Sequence, residues 1–272
     1  MDPKLQRRVQ RYGWDRAASH YERYWLEQLR IAQSKLLEMA ALHPGEKVLD
    51  VSCGTGMVTF RAADAVGPQG EVLGTDISQT MIDTAREEAA RRQLSHVTFE
   101  RMDAEELTVE DGSFDAVLNA LGLMFVPDVD KALREMHGVL RAGGRAVAAV
   151  WGERSRCGWA SVFPIVDARV ESEVCPLFFQ MGTGNTSQKR FERAGFTGVT
   201  LNRIHTTLHY DSAEAALGAV LQGGAMALAY SRFDDATRNE VHREYLESIE
   251  AYRRGSAYEV PAEFVVTSGR KA

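Results

Sequence analysis

Short apolar runs alternate with 3.6-residue periodicity along the middle of the chain, a pattern that predicts strands linked by crossover helices. Val48-Leu49-Asp50-Val51 reads as a buried strand, followed by a helix from Met57 to Val66 that stops at Gly67-Pro68. Glu71 to Thr75 is a second strand, ending at Asp76. Ser78 is placed to cap the next helix, where Met81, Ile82, Ala85 and Ala89 share one face and Arg86, Glu87, Arg91 and Arg92 face water. Val97 to Arg101 and Phe114 to Asn119 read as the third and fourth strands. Ala132, Leu133, Met136, Val139 and Leu140 fit a helix between Asp128 and Arg141, which Gly143-Gly144 is expected to close before a fifth strand from Arg145 to Trp151.

The flanks differ in character. Residues 5 to 42 look helical, with Tyr12, Trp14, Tyr21, Tyr24 and Trp25 set among charged residues, the pattern of a cover more than of a core. Beyond Trp151 the chain is less regular to Gly184. It then predicts a helix from Lys189 to Gly195, a strand near Val199 to Tyr210, and two helical segments between Ser212 and Arg254. The first of these, Ala213 to Tyr230, is apolar, and the second is heavily charged; Phe264 to Thr267 is a closing strand. With no internal repeat and no low-complexity linker, residues 152–188 and 211–256 read as insertions on one domain. The expected organisation is a single α/β domain over 1–272, with a helical cover at 1–44, a core at 45–151, and substrate-side insertions and closing strands at 152–272.

Composition narrows what such a domain can do. With 32 Lys and Arg against 38 Asp and Glu, the net charge is −6, so the positive field that drives nucleic-acid binding is missing. No run reaches the roughly 18 apolar residues needed to span a bilayer, and Met1 to Arg11 is polar, so a soluble, cytoplasmic protein without a membrane partner is expected. Cys53, Cys157 and Cys175 are odd in number and lack CxxC or Cys/His spacing, which points to neither a disulfide framework nor a metal site.

The chemistry concentrates in Val48-Leu49-Asp50-Val51-Ser52-Cys53-Gly54-Thr55-Gly56. Glycines after a strand permit a tight turn and close approach of a ligand to the backbone, and the following helix offers free N–H groups. Asp76, about 20 residues on at the end of the second strand, can accept hydrogen bonds from ribose hydroxyls. These two features admit either a dinucleotide or an adenosine cofactor. A dinucleotide fingerprint needs a third glycine where Thr59 stands, and Asp50 suits a cationic amino group better than a pyrophosphate. Met102-Asp103-Ala104, after the third strand, adds a carboxylate able to accept from an adenine amine.

This layout of Asp50, Gly54-x-Gly56, Asp76 and Asp103 after successive strands resembles the class I S-adenosylmethionine-dependent methyltransferases. The resemblance continues through Phe114-Asp115-Ala116-Val117 and Leu140-Arg141-Ala142-Gly143-Gly144-Arg145, and covers about residues 45 to 151. It implies a Rossmann-like, seven-stranded, mostly parallel sheet with helices on both faces, and S-adenosyl-L-methionine as the cofactor. It further implies that Ser52, Gly54 and Gly56 line the methionine portion, with Asp50 supporting that loop or the amino group. Asp76 would bind the ribose, Ile77 and Met81 would pack on adenine, and Asp103 and the Ala104 N–H would face its polar edge. Asn119 would sit nearest the methyl donor, and Tyr21, in the Ala17-Ala18-Ser19-His20-Tyr21 segment of the cover, would contact the cofactor carboxylate.

No catalytic base stands out; His20, His205 and His209 are the candidates able to reach a cavity over the fourth and fifth strand ends. Asn119-Ala120-Leu121-Gly122 lacks the Asn/Asp-Pro-Pro-aromatic run of nucleic-acid and protein-amide methylating enzymes. The core, Ala194-Gly195-Phe196, the helical insertion and the closing strand are similar to the small-molecule branch resembling ubiquinone and menaquinone biosynthesis enzymes, although the N-terminal signature of the true quinone enzymes has no counterpart. The expected function is O- or N-methylation of a small aromatic or heterocyclic metabolite by a monomer or homodimer. C-methylation of a quinone-like ring is the alternative within the class; a nicotinamide-dependent oxidoreductase and a non-catalytic cofactor-binding protein are the rivals outside it.

Overall fold

The computed structural model describes residues 3–170 and 178–272, so Cys175 lies outside the described residues. One mixed sheet organises the chain. Its parallel part consists of β1 (Lys47–Val51), β2 (Glu71–Asp76), β3 (Val97–Arg101), β4 (Phe114–Ala120) and β5 (Leu140–Trp151). β6 (Thr197–Tyr210) and β8 (Ala257–Arg270) extend it antiparallel, giving the order β3-β2-β1-β4-β5-β8-β6, while the two-residue β7 (Arg253–Arg254) pairs on β8. The expected seven strands are the seven of this path; β7 is an eighth that two arginines could not announce.

Strand alternation gives each face its own core. Val48 joins Val58, Phe60, Ile82 and Phe99 on one face, while its neighbour Leu49 joins Val117, Leu133, Trp151 and Phe264 on the other. Helices α2 (Met57–Val66) and α3 (Gln79–Arg91) follow β1 and β2, and α4 (Val129–Val139) precedes β5. Ser78 caps α3 as predicted, its Oγ accepting from Met81 N at 3.1 Å, and Asp128 caps α4 by accepting from Lys131 N at 2.9 Å; each such cap contributes about 1 kcal/mol.

Two expectations need correction. The helix before β5 ends at Val139 rather than at Gly143-Gly144. Leu140 already pairs with Phe114, and the strand then bulges before Arg145 pairs with Ala116. Gly143, at φ 78°, serves that bulge and donates to Lys271 O at 3.0 Å; a glycine after an apolar helix position signals a cap and a bulge equally. The apolar stretch 213–230 is two helices, α7 (Ala213–Leu221) and α8 (Ala227–Tyr230), broken at Gly223-Gly224.

The cover is a single helix, α1 (Pro3–Ala40), that runs across α3, β5, α7, α8 and β8. It packs closely: a Cβ on Gly218 of α7 would stand 2.2 Å from Tyr24 Cζ. The remaining helices are α5 (Val162–Asp167), α6 (Thr186–Arg193) and α9 (Asp235–Ser248). Among the described residues no helix is long and apolar enough to cross a membrane. From β1 the sheet grows one way through β2 and β3 and the other way through β4 and β5, so a crevice opens beyond the carboxyl ends of β1 and β4, where ligands bind in such folds.

Candidate cofactor site

That crevice holds a cavity walled by α1 and by the turns that follow β1, β2, β3 and β4. Its floor is the turn after β1, where Ser52 (φ 60°), Gly54 (φ 56°) and Gly56 (φ 93°) all adopt left-handed backbone. The turn is held from two sides: Cys53 N donates to Thr75 O at 2.9 Å, and Gly54 N donates to Asp76 Oδ2 at 2.9 Å. Ser78 N donates to the other oxygen of Asp76 at 2.9 Å. Asp76 is thus clamped at the end of β2 with its carboxylate on the cavity wall and only 8% exposed. Burial pushes its pKa up to about 6; the Ser78 and Gly54 bonds oppose that shift, and Asp15 adds to it.

Asp50 sits behind the turn, fully buried and outside the wall of the cavity. Its Oδ2 accepts from Thr59 Oγ1 at 2.7 Å, so the residue in place of a third glycine holds this carboxylate. Oδ1 has no partner among the described residues. Burial, partly offset by the Thr59 bond and reinforced by Asp76, pushes the pKa of Asp50 up to about 7. Two buried carboxylates raised in this way make a site that favours a cation.

Of the predicted residues, Tyr21, Ser52, Gly54, Asp76, Ile77, Met81, Asp103 and Ala104 all border this one cavity. Tyr21 is half-buried and lies on the turn, its Cε1 3.7 Å from where a Gly54 Cβ would stand. Burial, with the charges of Asp76, Glu22 and Asp50, pushes its phenol up. Gly56 does not border the cavity. It is needed for packing, since a Cβ there would fall 2.7 Å from Phe60 Cε2.

Asn119 does not face the cavity either. It is fully buried, donating to Val51 O at 2.9 Å and accepting from Gly122 N at 3.1 Å and Leu123 N at 2.9 Å, so it ties the turn after β4 to the end of β1. Its short amide is consumed by backbone groups that the sheet leaves unpaired. The three histidines are also elsewhere. His20 stacks against Tyr24, His205 is exposed on β6 with Nδ1 3.4 Å from Glu263 Oε1, and His209 is exposed on β6 where Gln28 bonds its backbone. Strand alternation and a register read from sequence alone could not tell an inward from an outward histidine.

Sequence reasoning missed the far wall. Arg7 Nε of α1 lies 3.0 Å from Asp103 Oδ2 and 2.8 Å from Glu105 Oε2, so Asp103 meets the cover as well as the cavity. Glu105, 1% exposed, also accepts from Asp128 N at 2.8 Å and so joins α1 to the cap of α4. Asp15 of α1 accepts from Ser78 Oγ at 2.6 Å. Glu105 and Glu106, next to Asp103-Ala104 in the sequence, were the available signal, since a cover rich in arginine needs counter-charges.

A second cavity abuts the first and shares Trp14, Tyr21, Leu121 and Phe125 with it. All four tryptophans of the chain border it, from α1 (Trp14, Trp25), β5 (Trp151) and the short turn Gly158–Ser161 (Trp159). Trp151 and Trp159 stand 4.8 Å apart, and Phe163 of α5 and Phe178 extend the aromatic wall. Among the described residues this wall carries no Asp, Glu, Lys, Arg or His.

Residues 42–163 match the model of a methyltransferase domain family. Over 121 residues, 44% of this chain, the sequence is 41% identical to a demethylmenaquinone methyltransferase of Staphylococcus aureus strain JH9. The match takes in 49% of that protein, so the chain spans about half the length of the curated relatives it matches. Among solved structures, the YcgJ protein of Bacillus subtilis superposes with a TM-score of 0.64 at 17% identity, over 89% of this chain and 98% of that one. Phosphoethanolamine N-methyltransferase 2 of Haemonchus contortus, crystallised with phosphomonomethylethanolamine and S-adenosylhomocysteine, superposes with a TM-score of 0.63 at 16% identity, over 94% of this chain and 57% of that one. These two likenesses concern the fold.

Proposed function

We propose, from the premise that residues 42–163 are a methyltransferase domain of the class I type, that the chain transfers a methyl group from S-adenosyl-L-methionine to a small apolar ring metabolite. The observation that carries this reading is the pair of abutting cavities, one acidic and polar-edged, the other aromatic and uncharged, with Tyr21 and Phe125 between them. The residues present fit the cofactor. The unpartnered Oδ1 of Asp50 and the raised pKa values of Asp50 and Asp76 favour a cationic ligand, and the left-handed turn at Gly54 leaves room over the backbone. Asp76 would hold the ribose hydroxyls, the Asp103-Ala104 turn the adenine edge, Ile77 and Met81 its ring, and Ser52, Gly54 and Tyr21 the methionine end. Bound there, the cofactor supplies a methyl group made electrophilic by its sulfonium.

What the chain adds is placement. Trp14, Tyr21 and Phe125 would set the acceptor at the junction of the cavities, and α1 would exclude water from it. Among the described residues the wall of the aromatic cavity carries no carboxylate or histidine, so the acceptors that fit it best need no strong general base: a neutral amine, or an oxygen acidic enough to arrive ionised. A second reading, C-methylation of a quinone-like ring, is favoured by the likeness to the demethylmenaquinone methyltransferase of Staphylococcus aureus.

The test is release of S-adenosylhomocysteine over a panel of apolar aryl amines, phenols and hydroquinones. Turnover confined to charged, hydrophilic acceptors would sink the substrate assignment. A pH dependence follows from the raised carboxyls. Their folded-state pKa lies above the unfolded value, so they contribute stability below pH 4 and lose it as pH climbs through 6 to 7, where a cationic ligand restores it. Affinity for S-adenosylhomocysteine, through its ammonium group, is therefore expected to fall about tenfold from pH 7 to pH 5. A calorimetric Kd constant over that range would contradict it.

A further inference from the structure

The outward face of α1 is unlike the rest of the surface. Among the described residues, the large apolar side chains left exposed are Leu5, Tyr12, Leu26 and Ile31, and all four belong to this helix. Three of them stand in line with arginines. Positions 5, 8, 12, 16, 19, 23, 26 and 30 advance by three or four residues, so they share one face of the helix, and all are exposed. Leu5, Tyr12 and Leu26 there alternate with Arg8, Arg16, Arg23 and Arg30, Ser19 is the remaining member, and no carboxylate interrupts the line. Arg23 lies 3.7 Å from Glu214 and Arg30 3.4 Å from Glu27, whereas Arg8 and Arg16 form no ion pair among the described residues. In a chain of net charge −6, positive charge is thus gathered on a strip roughly 38 Å long.

We infer that this face docks on an anionic lipid surface, with α1 lying flat in the headgroup layer. Both kinds of side chain fit that partner. The arginines pair with lipid phosphates and carboxylates, while Leu5, Tyr12 and Leu26 enter the apolar layer just beneath, as in an interfacial helix. A soluble polyanion offers the first contact without the second, and leaves the apolar side chains in water. The sequence-based expectation of a chain without a membrane partner rested on the lack of a spanning segment, which a helix lying in the interface does not need. The opposite face of α1 is committed to the protein, with Trp14, Tyr21, Trp25 and Leu29 on the wall of the aromatic cavity. That cavity therefore lies about one helix diameter, roughly 10 Å, from the lipid contact. The docking does not rest on the proposed function; where both hold, acceptors that partition into a bilayer are concentrated beside the cavity.

Co-sedimentation with lipid vesicles tests it. The full chain is expected to bind phosphatidylcholine vesicles containing about 30% phosphatidylserine, and pure phosphatidylcholine about tenfold more weakly or less. Arg8→Gln with Arg16→Gln is expected to lower binding to the anionic vesicles by about 30-fold. Leu5→Ser with Tyr12→Ser, at unchanged charge, is expected to lower it by about tenfold. Arg243→Gln with Arg254→Gln removes two charges from exposed sites on α9 and β7 and is expected to change binding by about twofold at most. Thermal melting with S-adenosylhomocysteine, run on the same samples, checks that each variant keeps its fold and reads the cofactor site separately. No binding of the wild type to the anionic vesicles overturns the inference, and so does an equal loss in the Arg243 and Arg254 pair, which would mean that only net charge is read. Loss with the Arg8 and Arg16 pair but none with the Leu5 and Tyr12 pair also overturns it, in favour of a soluble polyanion. Full binding by the Arg8 and Arg16 pair overturns it as well.

Discussion

Asp76→Asn is expected to weaken S-adenosylhomocysteine binding by about 100-fold or more, as two charge-assisted bonds to ribose hydroxyls are lost. The carboxylate is pre-positioned for that task. Gly54 N and Ser78 N each donate to one of its oxygens at 2.9 Å, which aims the remaining lone pairs and joins the ribose site to the methionine turn. An amide can accept from only one of these two donors and sets its NH₂ against the other. The turn at Gly54 should therefore loosen as well, with a stability loss of about 1–2 kcal/mol. Calorimetric titration checks the affinity and thermal melting the stability. A variant that binds within threefold of wild type would remove Asp76 from the site.

Gly122→Ala is expected to lower Tm by roughly 5–10 °C, an overpacking loss of about 2–3 kcal/mol. A Cβ at Gly122 would stand 2.3 Å from Ser52 Cβ, 2.5 Å from Ser52 Oγ and 2.9 Å from Asn119 Nδ2. The neighbouring Leu121 is already held at φ 66°, so the turn after β4 has little freedom to move away. The turns after β1 and β4 both line the first cavity, and separating them should cost cofactor affinity together with stability. The cause can be isolated by a second substitution. Ser52 occupies left-handed backbone at φ 60°, which glycine adopts without strain, so Ser52→Gly removes the obstructing atoms. Gly122→Ala with Ser52→Gly is expected to recover more than half of the loss, a coupling that a double-mutant cycle measures. Additive effects would show that the contact between the turns is not what Gly122 protects.

Legibility in the sequence followed the distance over which each feature is assembled. The turn at Gly54, the cap at Ser78 and the carboxylate at Asp76 are local: strand, turn and helix signals fall within a few residues, and the structure has α2 at Met57–Val66, as the apolar pattern predicts. The closing strand was recognised only at its apolar centre, 264–267, whereas β8 runs from Ala257 to Arg270 and pairs with β5, β6 and β7. Its ends carry Glu259, Pro261 and Glu263, which speak against a strand until their partners are known. Glu263 is buried there because Arg203 of β6 donates to it at 2.8 Å.

Side-chain direction was the least legible property. Asn119 lies at the carboxyl end of β4 as expected, yet turns its amide to backbone groups, and His205 and His209 lie on β6 with their side chains toward solvent. The aromatic cavity was illegible for another reason: Trp14 and Trp159 are 145 positions apart in the chain, and only the packing of α1 across β5 brings them to one wall. The Arg7, Asp103 and Glu105 contact that holds the start of α1 over the site is equally non-local.

The central claim is that the cavity beyond β1 and β4 holds an adenosine cofactor with a cationic methionine end. A thermal-shift comparison of the purified protein with S-adenosylhomocysteine and with NADH tests it most directly. The account predicts a rise in Tm that saturates with S-adenosylhomocysteine, is absent from Asp76→Asn at the same concentrations, and is not produced by NADH. A rise with NADH and none with S-adenosylhomocysteine would contradict it.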